Sequence, residues 1–168
     1  MKSSGAFERD LTQLLPRLRR FAHGLSRSPA DADDLTQATI ERALRARDQW
    51  EPGTRLDSWL YRIMRNLWID TVRARTRKER YEAPEEEARL IGEDPRGAID
   101  AGLELQRAMA AMERLPDEQR EVVALILVEG FGYREASEML GLPIGTVSSR
   151  LVRGRIALLA MLSGVSDG

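Results

Sequence analysis

The chain has 168 residues, no cysteine, 42% hydrophobic and 32% charged residues, and 26 basic groups against 27 acidic ones. The missing thiols exclude a disulfide scaffold, a thiolate zinc site and a thiol enzyme. No run of about 18 apolar residues exists to span a bilayer, Met1 to Asp10 lacks the order of a secretory signal, and the chain reads as soluble and cytoplasmic with no membrane insertion.

Aromatic residues make up 5%, and the apolar residues are mostly Leu, Ala, Ile, Val and Met, a composition that predicts an all-α protein. Phe7, Leu11, Leu14, Leu15, Leu18 and Phe21 recur at helical spacing and predict a first helix ending near Gly24. A turn, Ser26 to Ala30, precedes Asp31, Asp33 and Asp34, whose charges suit the start of a helix running to about Arg47. After the loop Asp48 to Gly53, Thr54 and Asp57 have the spacing of a capping box. Leu56, Leu60, Ile63 and Leu67 then stripe a helix that reaches about Lys78.

From Glu82 to Gly102 the chain carries Pro84, Pro95, Gly92, Gly97 and Gly102 among acidic groups, with no apolar period, and reads as a flexible linker. The predicted organisation is residues 1–80, an acidic linker 81–103, a second helical unit 104–163 and a disordered tail 164–168. In the second unit Leu103 to Leu115 and Glu118 to Val128 read as helices broken at Pro116, followed by the turn Glu129 to Gly132. Tyr133 to Leu140, the turn Gly141-Leu142-Pro143 and Ile144 to Met161 have the pattern of a helix-turn-helix. On the last helix Ile144, Val147, Leu151, Gly154 and Leu158 form a predicted buried stripe. Opposite them Ser149, Val152, Arg153 and Ile156 form a face suited to a major groove. Gly154 in mid-helix should cost about 1 kcal/mol against alanine unless close packing requires it.

The near-neutral total hides segregated charge: +4 over residues 1–30, −3 over 31–44, +5 over 45–80, −6 over 81–104, −3 over 105–140 and +2 over 141–168. Exposed charges more than about 8–10 Å apart are screened at physiological salt, so the basic stretches can hold a polyanion despite the neutral sum. Only Lys2 and Lys78 are lysine. The arginine excess suits planar contacts to phosphates and base edges, and arginine-rich codon usage accounts for it equally well. His23, the single histidine, stands at a helix end; there is no candidate catalytic group, metal site or phosphate loop, hence no cofactor, no metal and no small-molecule substrate.

Two motif blocks carry a family resemblance. Asp31-Ala32-Asp33-Asp34-Leu35-Thr36-Gln37 and Trp59-Leu60-Tyr61-Arg62-Ile63-x-Arg65-Asn66 resemble region 2 of bacterial extracytoplasmic-function sigma factors. Leu115-Pro116-x-x-x-Arg120-x-Val122 and the run from Gly130 through Tyr133-Arg134-Glu135, Leu140-Gly141-x-Pro143 and Thr146-Val147-x-Ser149-Arg150-Leu151-x-Arg153-x-Arg155 resemble region 4. The resemblance implies a factor that binds core RNA polymerase, recognises promoter DNA, opens it, and is held inactive by an anti-sigma factor. It places polymerase binding on Asp34, Gln37 and Glu41, and minus-35 binding on Ser148, Ser149, Val152, Arg153 and Arg155, with Arg150 on phosphate. Minus-10 binding falls to the loop Asp48 to Arg55, with Trp50 and Arg55 for an extruded base, while Arg62, Arg65, Asn66 and Arg73 hold the melted strand. The acidic linker would run near the RNA exit path. A rival reading from another class is a dimeric helix-turn-helix regulator that binds duplex DNA without polymerase.

Overall fold

A computed structural model of the chain describes residues 4–81 and 100–164. Seven α-helices are present among them: α1 Ser4–Ser26, α2 Pro29–Arg45, α3 Leu56–Tyr81, α4 Asp100–Glu113, α5 Asp117–Val123, α6 Tyr133–Leu140 and α7 Ile144–Leu162. No strand occurs among the described residues, in agreement with the all-α expectation. The predicted linker lies outside the described residues up to residue 99, and so do residues 165–168 of the tail. Helix α4 begins at Asp100, taking in the end of the stretch read as linker.

Helices α1, α2 and α3 pack on one another around Phe7, Leu11, Leu18, Phe21, Leu35, Leu60, Tyr61 and Met64. Phe7, Leu11, Leu18 and Phe21 of the first apolar stripe are buried and Leu14 and Leu15 half-buried, and the helix they predict runs to Ser26, past Gly24. Ser28 caps α2, its hydroxyl accepting from the Asp31 N–H. Helix α2 stops at Arg45, and Arg47–Gln49 form a single 3₁₀ turn before the loop. The Thr54–Asp57 capping box does not form: the Thr54 hydroxyl donates to the Glu51 carbonyl, and the Asp57 carboxylate accepts from the Ser58 N–H and from Arg55 and Arg17.

In the second half α5 packs on α7, and α6 leads into α7 through Gly141 at φ 64°, a left-handed cap that glycine takes without strain. The expected continuous helix to Val128 is interrupted. Ala124–Val128 form a wider π turn, with the Glu129 N–H reaching back to the Ala124 carbonyl and the Phe131 N–H to that of Leu125. Val147, Leu151 and Gly154 of the predicted stripe are buried, while Ile144 at the helix start is 47% exposed because nothing covers the first turn. Gly154 is required by packing: a Cβ there would lie 2.6 Å from Val123 Cγ2.

The two halves share one core. The Phe21 and Tyr61 ring centroids are 4.6 Å apart, and Tyr61 meets Phe131 edge-on at 5.5 Å.

Candidate nucleic-acid interface

Helix α3 projects arginines by simple periodicity. At 100° per residue Arg62, Asn66 and Arg73 fall within about 40° of one another, along about 16 Å of axis, and all three are exposed. Arg77 and Arg80 extend the stripe and share a shallow surface cleft with Arg73. Both were missed as individual site residues, although the same arithmetic would have placed them. Arg65 lies about 60° off this stripe and forms an ion pair with Glu121 of α5. Burial pushes the Glu121 carboxyl up despite the attraction of Arg65.

The loop after α2 differs in part from expectation. Trp50 is half-buried, its ring packing on Phe7 at 5.7 Å, so it walls the loop instead of standing free to stack on a base. Its indole Nε1 is buried with no hydrogen-bond partner. Trp59 also packs against Phe7, as the core reading required. Trp50, Thr54, Arg55, Ser58 and Arg62 line one cleft of about 580 Å³, whose other wall is Glu135, Glu138 and Met139 of α6. Arg55 pairs with Asp57 and Glu135 and lies 4.6 Å over the Phe131 ring.

On α2, Asp34, Gln37 and Glu41 share one arc and are all exposed. Asp34 also lines a groove between α2 and α3, where the Asp31–Arg75 ion pair at 2.7 Å lies beside Trp68. On α7, Ser149, Val152, Arg153 and Ile156 form an exposed outer face, with Val152 at 52% and Ile156 at 63%. Ser148 is half-buried. Arg150 is also half-buried, 3.7 Å from Glu118, and Arg155 is exposed about 160° around the axis from Arg153. The structure thus gathers Ser149, Val152 and Arg153 and leaves Arg150 and Arg155 on other faces.

Residues 11–78 match sigma-70 region 2, and residues 105–158 match sigma-70 region 4. Over 153 residues the chain is 39% identical to the ECF RNA polymerase sigma factor EcfG of Rhodopseudomonas palustris (strain TIE-1), an alignment covering 91% of this chain and 83% of that one. The chain belongs to the ECF sigma factors. It is also 41% identical over 144 residues to the ECF sigma factor SigE of Mycolicibacterium smegmatis, spanning 83% of this chain and 54% of that relative. The sigma factor RpoE of Bartonella quintana, solved in complex with the anti-sigma factor NepR, superposes with a TM-score of 0.80 at 34% identity, covering 94% of this chain and 97% of that chain.

One cluster in this sigma factor had no forewarning in its sequence. Glu129, 1% exposed at its side chain, accepts from Arg20 at 2.8 and 3.1 Å, from Arg17 at 3.1 Å and from the Tyr61 hydroxyl at 2.8 Å. Burial pushes the Glu129 carboxyl up, but the hydrogen bonds from Arg20, Tyr61 and Arg17 outweigh it and hold it below the ordinary range. Burial and the bond to Glu129 raise Tyr61 well above a free phenol, so its hydroxyl stays protonated as a donor. Arg120 of α5 is buried and donates to the carbonyls of Gly24 and Leu25 at the end of α1 and to that of Leu115. Arg27, in the left-handed region at φ 63°, donates to the Leu115 carbonyl and pairs with Asp117 at 2.9 Å. His23 closes the seam at 3.2 Å from Glu113.

Proposed function

We propose that this sigma factor binds core RNA polymerase through the α2 face of Asp34, Gln37 and Glu41. It holds the melted minus-10 strand along α3 and the α2–α3 loop, and reads the minus-35 duplex with α7. It acts as a non-enzymatic initiation factor in the cytoplasm. Region 2 occupies residues 1–80 and region 4 residues 104–163, with the acidic stretch as the spacer between them. The observation that carries the reading is the pairing in one chain of an exposed arginine stripe on α3 with a helix-turn-helix whose outer face, Ser149, Val152 and Arg153, is open to solvent. Phosphates would supply salt-dependent affinity along the stripe, and the α7 side chains would supply base discrimination. Because RpoE of Bartonella quintana was solved with an anti-sigma factor, a protein of that class is the expected restraint here.

Size-exclusion co-elution with core RNA polymerase, followed by run-off transcription on fragmented genomic DNA, tests the proposal. A stable complex producing new discrete transcripts is expected. Absence of binding, together with a homodimer that shifts duplex DNA alone, would replace it with the conventional regulator.

A further inference from the structure

Two of the four side chains on the outer face of α7 are branched aliphatics, and both stand in solvent: Val152 is 52% exposed and Ile156 63%. At 100° per residue they lie 40° apart and about 6 Å along the axis, with Ser149 beside Ile156 and Arg153 at the far edge of the same arc. The Ser149 hydroxyl donates to the Thr146 carbonyl at 3.1 Å, so what it offers outward is an oxygen that accepts. In the major groove guanine shows two acceptors, cytosine a donor, adenine one of each, and thymine an acceptor together with the only methyl group. An apolar side chain set against any other base edge strips water from nitrogen or oxygen atoms without replacing the lost bonds. Valine and isoleucine are also stiff at χ1 in a helix, so little rotamer freedom is lost when they make contact. Two such side chains on a groove face match thymine methyls, and the Ser149 oxygen matches the adenine amino group that the same base pair presents.

We propose that Val152 and Ile156 read thymine methyl groups within the minus-35 element, so that A·T pairs occupy the centre of the α7 footprint and hydrogen-bonded discrimination falls to Arg153 at its edge. The inference rests on the reading of α7 above and names the base chemistry that it recognises. A helix rise of about 1.5 Å per residue, against about 3.4 Å per base pair, puts the two contacts within about two base steps of each other. Each contact buries about one methyl group of the base. Taking that methyl away forfeits about 0.8 kcal/mol, which is about fourfold in affinity. Uracil presents the same acceptor as thymine and lacks only the methyl. A thymine-to-uracil exchange therefore isolates this contact from hydrogen bonding and from the phosphates.

The test uses reconstituted holoenzyme and promoter fragments recovered by run-off transcription. Each thymine of the minus-35 region, on either strand, is replaced in turn by deoxyuridine, and competition binding is measured for the unsubstituted chain, Val152→Ala and Ile156→Ala. Both positions are exposed and alanine favours a helix, so unfolding is not at issue. The unsubstituted chain is expected to lose about fourfold at two thymines no more than about two base pairs apart, with Val152→Ala insensitive at one and Ile156→Ala insensitive at the other. Leu159, 63% exposed one turn beyond Ile156, is the control, and Leu159→Ala keeps the sensitivity at both. Uniform affinity across all the deoxyuridine fragments, a minus-35 element without thymine, or a sensitivity that survives both alanine substitutions overturns the methyl reading. Replacing the whole minus-35 element by an unrelated sequence separates the two ideas. If that replacement weakens binding while no uracil does, the methyl reading alone falls. If it changes nothing, α7 does not read the element and both fall.

Discussion

Arg120→Met should be the most damaging single substitution at the seam. Arg120 is 2% exposed, and its guanidinium donates to three carbonyls, Gly24, Leu25 and Leu115, and to the Asp117 carboxylate. Gly24 and Leu25 end α1, where the last carbonyls have no intrahelical donor, so nothing within the helix replaces the lost bonds. Methionine fills much of the volume, and Asp117, at 73% exposed, turns to water at little cost. The Leu115 carbonyl keeps its bond from Arg27, so the penalty is that of two stranded acceptors, Gly24 and Leu25, about 1–3 kcal/mol each where buried, and about 2–4 kcal/mol in all, since Gly24 is only half-buried. At about 2–4 °C per kcal/mol for a chain of this size, thermal unfolding followed by circular dichroism should shift down by about 4–16 °C. Arg120→Lys keeps the charge without the planar fork and should recover only part of the loss. A Met variant destabilised by less than about 1 kcal/mol would refute the view that the fork, and not apolar contact, joins α1 to α5.

Gly154→Ala should destabilise by up to about 2 kcal/mol, since overpacking against the stiff Val123 side chain costs about 1–3 kcal/mol and helix propensity returns about 1; a raised melting temperature would contradict it. Acidification should open the seam. The Glu129 carboxyl, which takes its donors from the other half, is held below the ordinary range, so its contribution to the seam is complete above about pH 4.5 and is lost as pH falls through its lowered value. Glu121, pushed up by burial, opposes this with the reverse sign. Energy transfer between labels on the two halves that stays constant down to pH 3 would count against Glu129 as the acid-sensitive contact. Arg153→Ala in the reconstituted holoenzyme should weaken promoter binding by about 1–3 kcal/mol and relax preference within the minus-35 element; unchanged affinity and preference would show that the wrong face of α7 was assigned.

Where the sequence was informative, a period was at work. The stripe Phe7 to Phe21, the buried line Val147–Leu151–Gly154 and the outer face Ser149–Val152–Arg153 all follow from 3.6 residues per turn, and the structure places each as expected. The same arithmetic reaches Arg62, Asn66 and Arg73. It is silent on contacts between residues far apart in the chain, and there the departures concentrate. Trp50 lay in a loop with no period to show that Phe7 would hold its ring. The Thr54–Asp57 spacing satisfied a local rule, but Arg55 and Arg17 competed for the Asp57 carboxylate. Glu129 had only the look of a turn acid beside a glycine, because its three donors lie 68 to 112 residues away.

Those distant bonds change what the charge segregation means. Read along the chain, +5 over residues 45–80 and −3 over 105–140 describe a basic surface for nucleic acid and an acidic surface turned elsewhere. In the folded protein the two meet: Arg55 and Arg65 of the basic segment are paired with Glu135 and Glu121 of the acidic one. Electrostatic complementarity that favours a phosphate strand equally favours a row of carboxylates, and the tethered row has the advantage of local concentration. Arg62 and Arg73 stay exposed on the outer stripe of α3, while Arg55 and Arg65 meet carboxylates of the second half.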